Sequence, residues 1–449
     1  MGDDMALQGW ANALRAGSAL GLLVIATAQA NAGGFAIREQ SAYGQGTSFA
    51  GVAAGGALSS MFWNPATMTQ VPGIQSETVV TGIMPYASHT PQAGSTLPAP
   101  FFGGNDDSAS DALVPAGYFS WQLNPNLWLG ISTTAPFGLS VHFNENFAGR
   151  NYAAPTTLQT YNATPSIAYR FNDWLSVGAG VQIQYGRANL TTGLGATPGL
   201  DTVISGSGWS YGFTAGMTLT PTPTTTIGVG YRSSLDQKIN GTLGTTLAVL
   251  PLTTYGSVNT TLDLPDSVSL GIRQILDRQW TVMGTVEWTH WSRIGTSNVL
   301  QPNGALATVV ASPVKLPFQY DDGWFFSVGA EYIWSDRLTL RGGIGYEISP
   351  ITDQVRTPRL PDNDRFWLSV GASWQVFKGL HFDVAYSHLW VKDPTINITS
   401  TSGNPWFNPA SPIAYVGDVN AHVDILSAAL VYRWDEPAAA PAKKMLITK

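Results

Sequence analysis

The chain of 449 residues contains no cysteine. That absence removes disulfide frameworks, thiolate metal sites and cysteine nucleophiles together. Charge is scarce as well, with 22 Lys and Arg against 29 Asp and Glu, a formal net charge of −7. So few cations supply no basic stripe for phosphates, and no nucleic-acid partner is expected. Beyond the N-terminus no uninterrupted apolar run reaches the roughly 18 to 20 residues that a helix needs to cross hydrocarbon. Metal-ligand spacing is missing too. The histidines, His89, His142, His290, His381, His388 and His422, form no visible group with a Ser motif. Neither a metal, a cofactor nor an enzymatic activity is therefore expected. A lipid hydrolase or an adhesin remains the alternative from another class.

The N-terminus carries a compact apolar core, "LGLLVIA" at Leu20 to Ala26, with Arg15 before it and "AQANA" after it. Ala30 and Ala32 fit the small-residue rule for signal peptidase, so residues 1–32 read as a removed signal peptide. Asp3 and Asp4 suit a basic leader poorly, which leaves both Met1 and Met5 open as the start.

What the chain has in abundance is Gly, aromatics and a period of two. In "WTVMGTVEW", Trp280, Val282, Gly284, Val286 and Trp288 fall on one face of a strand, and Thr281, Met283, Thr285 and Glu287 on the other. Eight steps of about 3.4 Å, tilted near 40°, cover roughly 20 Å, close to the apolar band of an outer-membrane barrel. The pattern recurs at Leu175 to Tyr185, Phe326 to Trp334, Phe366 to Trp374, Leu380 to Tyr386 and Leu426 to Trp434. A β-sandwich also alternates, but aromatics at the ends of the apolar face, strand after strand, favour a barrel.

Connection lengths point the same way. Tight turns are expected at Asn124–Asn126, Asn172–Trp174, Pro221–Pro223, Leu276–Gln279, Ser335–Arg337 and Phe377–Gly379, and long loops at Ser88–Asp111, Asn240–Gly256 and Asp393–Gly417. Strict alternation of short and long connections predicts an all-β, transmembrane, up-and-down antiparallel β-barrel of about fourteen strands, in the bacterial outer membrane, with both chain ends periplasmic. A three-residue turn at Ser335–Arg337 pairs Trp334 with Leu338 and sets Glu331 opposite Arg341 in the lumen, an ion pair read as a structural brace. The same arithmetic sets Ser373 opposite Asp383.

One stretch fits no strand: "FWNPATM", Phe62 to Met68. Asn-Pro suits a turn, since Asn64 can bond backbone groups that Pro65 leaves unpaired. With "GGFAIREQSAYGQGTSFAG" at Gly33 to Gly51, "APFGL" at Ala135 to Leu139, "PSIAYRFNDWLSVGAGVQ" at Pro165 to Gln182 and "LPDSVSLGIR" at Leu264 to Arg273, it resembles the FadL/TodX family of outer-membrane transporters. "EWTHWSRI" at Glu287 to Ile294, "RGGIGYEISPI" at Arg341 to Ile351 and "RLPDNDRFWLSVG" at Arg359 to Gly371 continue the resemblance in order.

The resemblance implies an N-terminal hatch inside the lumen, residues 33–74, a barrel over residues 75–434 and a periplasmic tail over 435–449. It implies passive uptake of long-chain fatty acids or similar hydrophobic molecules, with lateral exit into the bilayer through a gap at a kinked third strand. Outer-membrane lipids and lipopolysaccharide are the surroundings, the protein is expected to work as a monomer, and the alternative cargo is a neutral aromatic or aliphatic hydrocarbon. The lateral gate falls at Ala135, Pro136, Phe137 and Gly138. The residues alone leave open whether the strand kinks there or ends at Thr134, because Pro136 breaks pairing either way. Phe35 is implied as an aromatic reaching the ligand cavity and Arg187 as the partner of a ligand carboxylate. Asp321 stands near a second basic pocket position of the family, a departure that favours a neutral ligand. Asn64, Pro65 and Ala66 are expected to support the hatch close to the break at Pro136.

Overall fold

The computed structural model describes residues 34–96, 103–105, 107–195, 197, 199–247, 250–309 and 312–434. The expected signal peptide and C-terminal tail lie outside the described residues.

Fourteen antiparallel strands close on themselves. They are β1 (Ile74–Pro91), β2 (Ala112–Asn124), β3 (Leu127–Thr134, resuming at Gly138–Val141), β4 (Thr156–Arg170), β5 (Leu175–Gly193), β6 (Leu200–Thr222) and β7 (Thr225–Arg232 and Leu235–Leu247). Then follow β8 (Leu250–Leu264 and Ser267–Ile275), β9 (Trp280–Thr289), β10 (Gly323–Ser335), β11 (Leu338–Ile348), β12 (Arg365–Phe377), β13 (Leu380–Val391 and Thr395–Ile398) and β14 (Tyr415–Arg433). Pairing of β1 with β14 from Gln75↔Arg433 to Pro91↔Gly417 completes the cylinder, so no edge is exposed to lipid at the seam. No helix of the described residues is long and apolar enough to cross a membrane.

The faces follow the period. On β9, Trp280, Val282 and Val286 are exposed outward while Thr281, Met283, Thr285 and Glu287 are buried inward. Glu331 and Arg341 are direct cross-strand partners, with Arg341 Nε donating to Glu331 Oε2 at 2.8 Å. Ser373 pairs with Asp383 and donates to its carboxylate. The turn between β10 and β11 differs from a three-residue connection. Ser335 pairs with Leu338, and the extra residue is taken up by an irregularity at Ile333/Ser335, so Trp334 has no ladder partner. A two-residue turn matches strand twist better, and the bulge absorbs the remainder.

Connection lengths do not alternate strictly. Residues 240–256, expected as a long loop, are mostly strand: β7 runs to Leu247 and β8 starts at Leu250, paired with each other throughout. The Thr-rich alternation in "GTLGTTL" and "YGSVNTTL" supports β-structure beyond the bilayer, where polar side chains on both faces carry no penalty.

Residues 34–73 form a compact insert whose side chains are almost all buried, and the first strand begins at Ile74. Its helical turns are short: α1 (Ala42–Gln45), capped by Ser41 Oγ on the Gly44 N–H at 2.9 Å, and 3-10 turns at Val52–Ala54, Leu58–Phe62 and Pro65–Gln70. The last starts as Asn-Pro dictates, with extended Asn64 as cap accepting the Ala66 N–H at 3.0 Å and Pro65 at the first turn. Room for the insert comes from inward glycines on β7. A Cβ at Gly228 would lie 1.8 Å from the Ala53 oxygen and one at Gly230 1.9 Å from the Trp63 oxygen.

Candidate functional site

The break in β3 is where wall and insert meet. Below it, β3 pairs with β2 up to Gly117↔Thr133 and with β4 up to Thr134↔Asn162. Above it, Gly138–Val141 is laddered to β4, and on its other side Val141 makes an isolated bridge to Ala109, ahead of β2. From Ala112 to Ala116, β2 pairs only with β1, which leaves a gap in the wall beside Ala135, Pro136 and Phe137. Pro136 has no N–H for a ladder, and the strand resumes beyond it, so the kink reading describes the backbone.

The insert closes this gap from within. Ile37 N–H donates to Pro136 O at 2.8 Å and Gly138 N–H to Phe35 O at 2.9 Å, as a one-bridge strand between Ala36 and Phe137. Gln40 Nε2 donates to Ala135 O at 3.0 Å, and Tyr118 OH on β2 donates to Gln40 O at 2.7 Å. Residues 35–40 thus substitute for the neighbour that β3 lacks.

Behind the break lies a cavity of about 80 Å³, walled by Phe62, Trp63, Pro136, Phe137, Trp291 and Leu235 with a polar floor. In that floor Arg38 is paired with Glu287 and Glu347, and its guanidinium lies 3.9 Å from the Phe325 ring. Arg232 is different. It is buried, donates to Phe62 O at 2.9 Å and to Gln182 Oε1, and has no carboxylate partner among the described residues. Above the cavity, Phe143, Phe147, Tyr320, Trp291 and Tyr415 belong to an apolar cluster that caps the outer end. Glu39, in the insert beside the break, is fully buried with Oε2 unpartnered, and burial pushes its carboxyl up to about 7.

Phe35 sits in this cluster, with its ring 4.8 Å from Trp291 and 6.2 Å from Phe137. Arg187 does not reach the lumen. Gln182, Gln184 and Ala188 are buried inward on β5, and Arg187 is exposed on the outer face with Val181 and Tyr185. The period of two already forces this, because Arg187 continues the series Leu175 to Tyr185. Asp321 is exposed in a loop outside the cavity, so its acidity says nothing against an acidic ligand. Arg232 was legible by the same parity, since "IGVGYR" places Gly228, Gly230 and Arg232 on one face.

Asn64 lies elsewhere than beside Pro136. Its Nδ2 donates to Ala53 O at 2.7 Å and to Met217 O on β6 at 2.8 Å. Ala66 follows onto β5, where a Cβ on Gly178 would come within 2.5 Å of its nitrogen. Beyond it the chain returns to the unbroken half of β3, where Met68 lies over Gly130 and Val71 O accepts from Trp128 Nε1 at 2.8 Å. Glu331 and Arg341 also hold the insert: Tyr43 OH donates to Glu331 at 2.9 Å, and Arg341 covers the Tyr43 ring at 3.9 Å.

The chain matches the family model described as outer membrane protein transport protein (OMPP1/FadL/TodX) over residues 23–434. It is 27% identical over 422 residues to the long-chain fatty acid transport protein of Salmonella typhi, covering 85% of this chain and 93% of that one. It is 26% identical over 426 residues to outer membrane protein P1 of Haemophilus influenzae, covering 85% and 91%. The crystal structure of a Pseudomonas aeruginosa FadL homologue has a TM-score of 0.78 at 23% identity over 90% of this chain and all of that one (100%). The Pseudomonas putida toluene transporter TodX has a TM-score of 0.65 at 17% identity, covering 89% and 98%. A closed barrel, an insert filling its lumen and a match that runs nearly end to end make this chain a member of the OMPP1/FadL/TodX family of outer-membrane transport proteins.

Proposed function

We propose that the protein takes up long-chain fatty acids or similar amphipathic acids by passive diffusion, with capture under the outer apolar cap, passage through the lumen cavity and exit sideways at the β3 break. The observation that carries this reading is the break itself, closed only by residues 35–40 of the hatch. A cavity of about 80 Å³ is far below the several hundred that a drug-sized ligand needs, so a long chain enters only as the hatch edge withdraws. Withdrawal of Phe35 and Ile37 from Gly138 and Pro136 enlarges the cavity and unblocks the gap in one movement. Lateral exit keeps the acyl chain out of water, at about 0.8 kcal/mol per CH2.

Arg232 favours an acid over the neutral hydrocarbon reading, because a buried guanidinium that makes no ion pair among the described residues attracts a carboxylate. Cavity and gate lie within one chain, which supports a monomer working in the lipopolysaccharide leaflet.

The test is uptake of labelled palmitate and toluene by cells that lack their own transporters. Arg232→Met is expected to lower palmitate uptake about tenfold, the worth of a charge-assisted hydrogen bond near 1.4 kcal/mol, and to leave toluene unchanged. Arg187→Met should change neither. Equal palmitate uptake with and without the protein sinks the reading.

A further inference from the structure

The wall has a second weakness, between β6 and β7. Their ladder runs unbroken from Leu219↔Ile227 to Thr214↔Arg232 and resumes only at Ser207↔Asn240. In between, residues 208–213 of β6 face residues 233–239 of β7, which carries one residue more. A backbone bond crosses near the lower end, from Ser233 N–H to Phe213 O at 2.9 Å. Side chains bridge the stretch as well. Gln237 Nε2 donates to Gly208 O at 2.8 Å, and Gln237 Oε1 accepts from Ser210 Oγ at 2.9 Å and from Gln184 Nε2 at 3.1 Å. Ser233 Oγ accepts the Phe213 N–H at 2.8 Å, and Gln182 Nε2 donates to Phe213 O at 2.9 Å.

This slot has an inside and an outside that match a passage. Gln182, Arg232, Ser233 and Leu235 line the same cavity that abuts the β3 break. On the lipid side Trp209, Tyr211 and Phe213 stand in a row, each more than half exposed at 55%, 68% and 52%. The two weaknesses are joined by the ladders between them, since Gln159 and Asn162 beside the β3 break pair with Arg187 and Gln184, which pair with Ser207 and Ser210. On the far side β8 is interrupted at Pro265, level with the interruption of β7, so β7 can bend there without breaking its ladder to β8.

Amide side chains differ from a ladder in what opening requires. A glutamine leaves its partners by rotation about its own side-chain bonds, whereas a ladder parts only when backbone groups are stripped together. Gln182 connects the seal to the cavity, because its Oε1 is the acceptor for Arg232 Nη2.

We propose that the segment between residues 208–213 and 233–239 is a second side exit from the lumen, sealed by glutamine side chains and released when the carboxylate of an aliphatic acid takes Arg232 from Gln182. This rests on the uptake reading above. The acid displaces a neutral amide oxygen from a guanidinium, Gln182 swings away from Phe213, and the alkyl tail follows past Leu235 toward the aromatic row.

The test uses the absence of native cysteine. Tyr211→Cys with Asp236→Cys, outward positions that leave the sealing glutamines and Ser210 in place, is bridged in the full chain by a short bifunctional methanethiosulfonate, and palmitate and toluene uptake are measured before bridging, after it and after reduction. Two parallel exits predict that bridging lowers palmitate uptake by about twofold or more, that reduction restores it, and that toluene uptake holds. Heat-modifiable migration on gels checks that the barrel is folded in each state. Palmitate uptake that is insensitive to bridging overturns the second exit and leaves the uptake reading intact. An equal fall for toluene means a blocked lumen and also overturns it. No palmitate uptake by the native protein overturns both.

Discussion

Asn64 shows how far a single residue can be read. Its role as the cap of a turn follows from Asn before Pro, but its two long-range acceptors, on Ala53 and Met217, come from where the hatch docks. Asn64→Ala removes three bonds in a buried place, about 1 to 3 kcal/mol of local stability. Faster hydrogen exchange at the Ala66 amide, with unchanged heat-modifiable migration of the barrel, is the expected result. Glu39 gives a second expectation. Burial raises its carboxyl from 4.5 to about 7, so the protonated form is the one the hatch favours. A carboxyl raised on folding contributes fully below about 4.5 and progressively less as pH rises toward 7. Protection of the Ile37 amide, corrected for intrinsic exchange, should therefore fall over that window, and Glu39→Gln should flatten the profile.

Among the elements, β7 and β3 carry the argument. β7 brings backbone of the hatch against Gly228 and Gly230, and a side chain there has nowhere to go. Gly228→Val is expected to push the Val52–Ala54 turn off the wall while the strand still pairs through its backbone. Loss of protection in hatch amides, with the strand content of the circular dichroism spectrum preserved, is the outcome that checks it. In β3 the sequence showed that pairing must fail at Pro136, and left open whether the strand resumes. Only the neighbouring β4 settles that, by pairing with Gly138–Val141. Facing was legible throughout from the period of two, and where the resemblance set it aside, at Arg187, the period was the better guide. The hairpin over residues 240–256 shows the opposite limit, since Thr and Gly suit a loop and a solvated strand alike until a partner strand is present.

At the scale of the molecule, the insert fills the lumen that a passing molecule would have to use. A barrel this wide without a plug would pass ions freely, and here the lumen is filled by residues 34–73. Single-channel recordings in planar bilayers should show little steady conductance for the native protein and a large rise when Gly228→Val unseats the plug. Large steady currents from the native protein would speak for an aqueous pore. The sequence by itself determined the barrel, its strand faces and the place where β3 fails, because each depends on neighbours in the chain or on the two-residue period, whereas Glu331 meets Arg341 through a two-residue turn and a bulge that the sequence did not show. Only the tertiary structure decided which hatch residues close the break, where Asn64 docks, and that Arg232 makes no ion pair among the described residues. Those facts depend on contacts between segments far apart in sequence, and no local pattern specifies which distant backbone a side chain will meet.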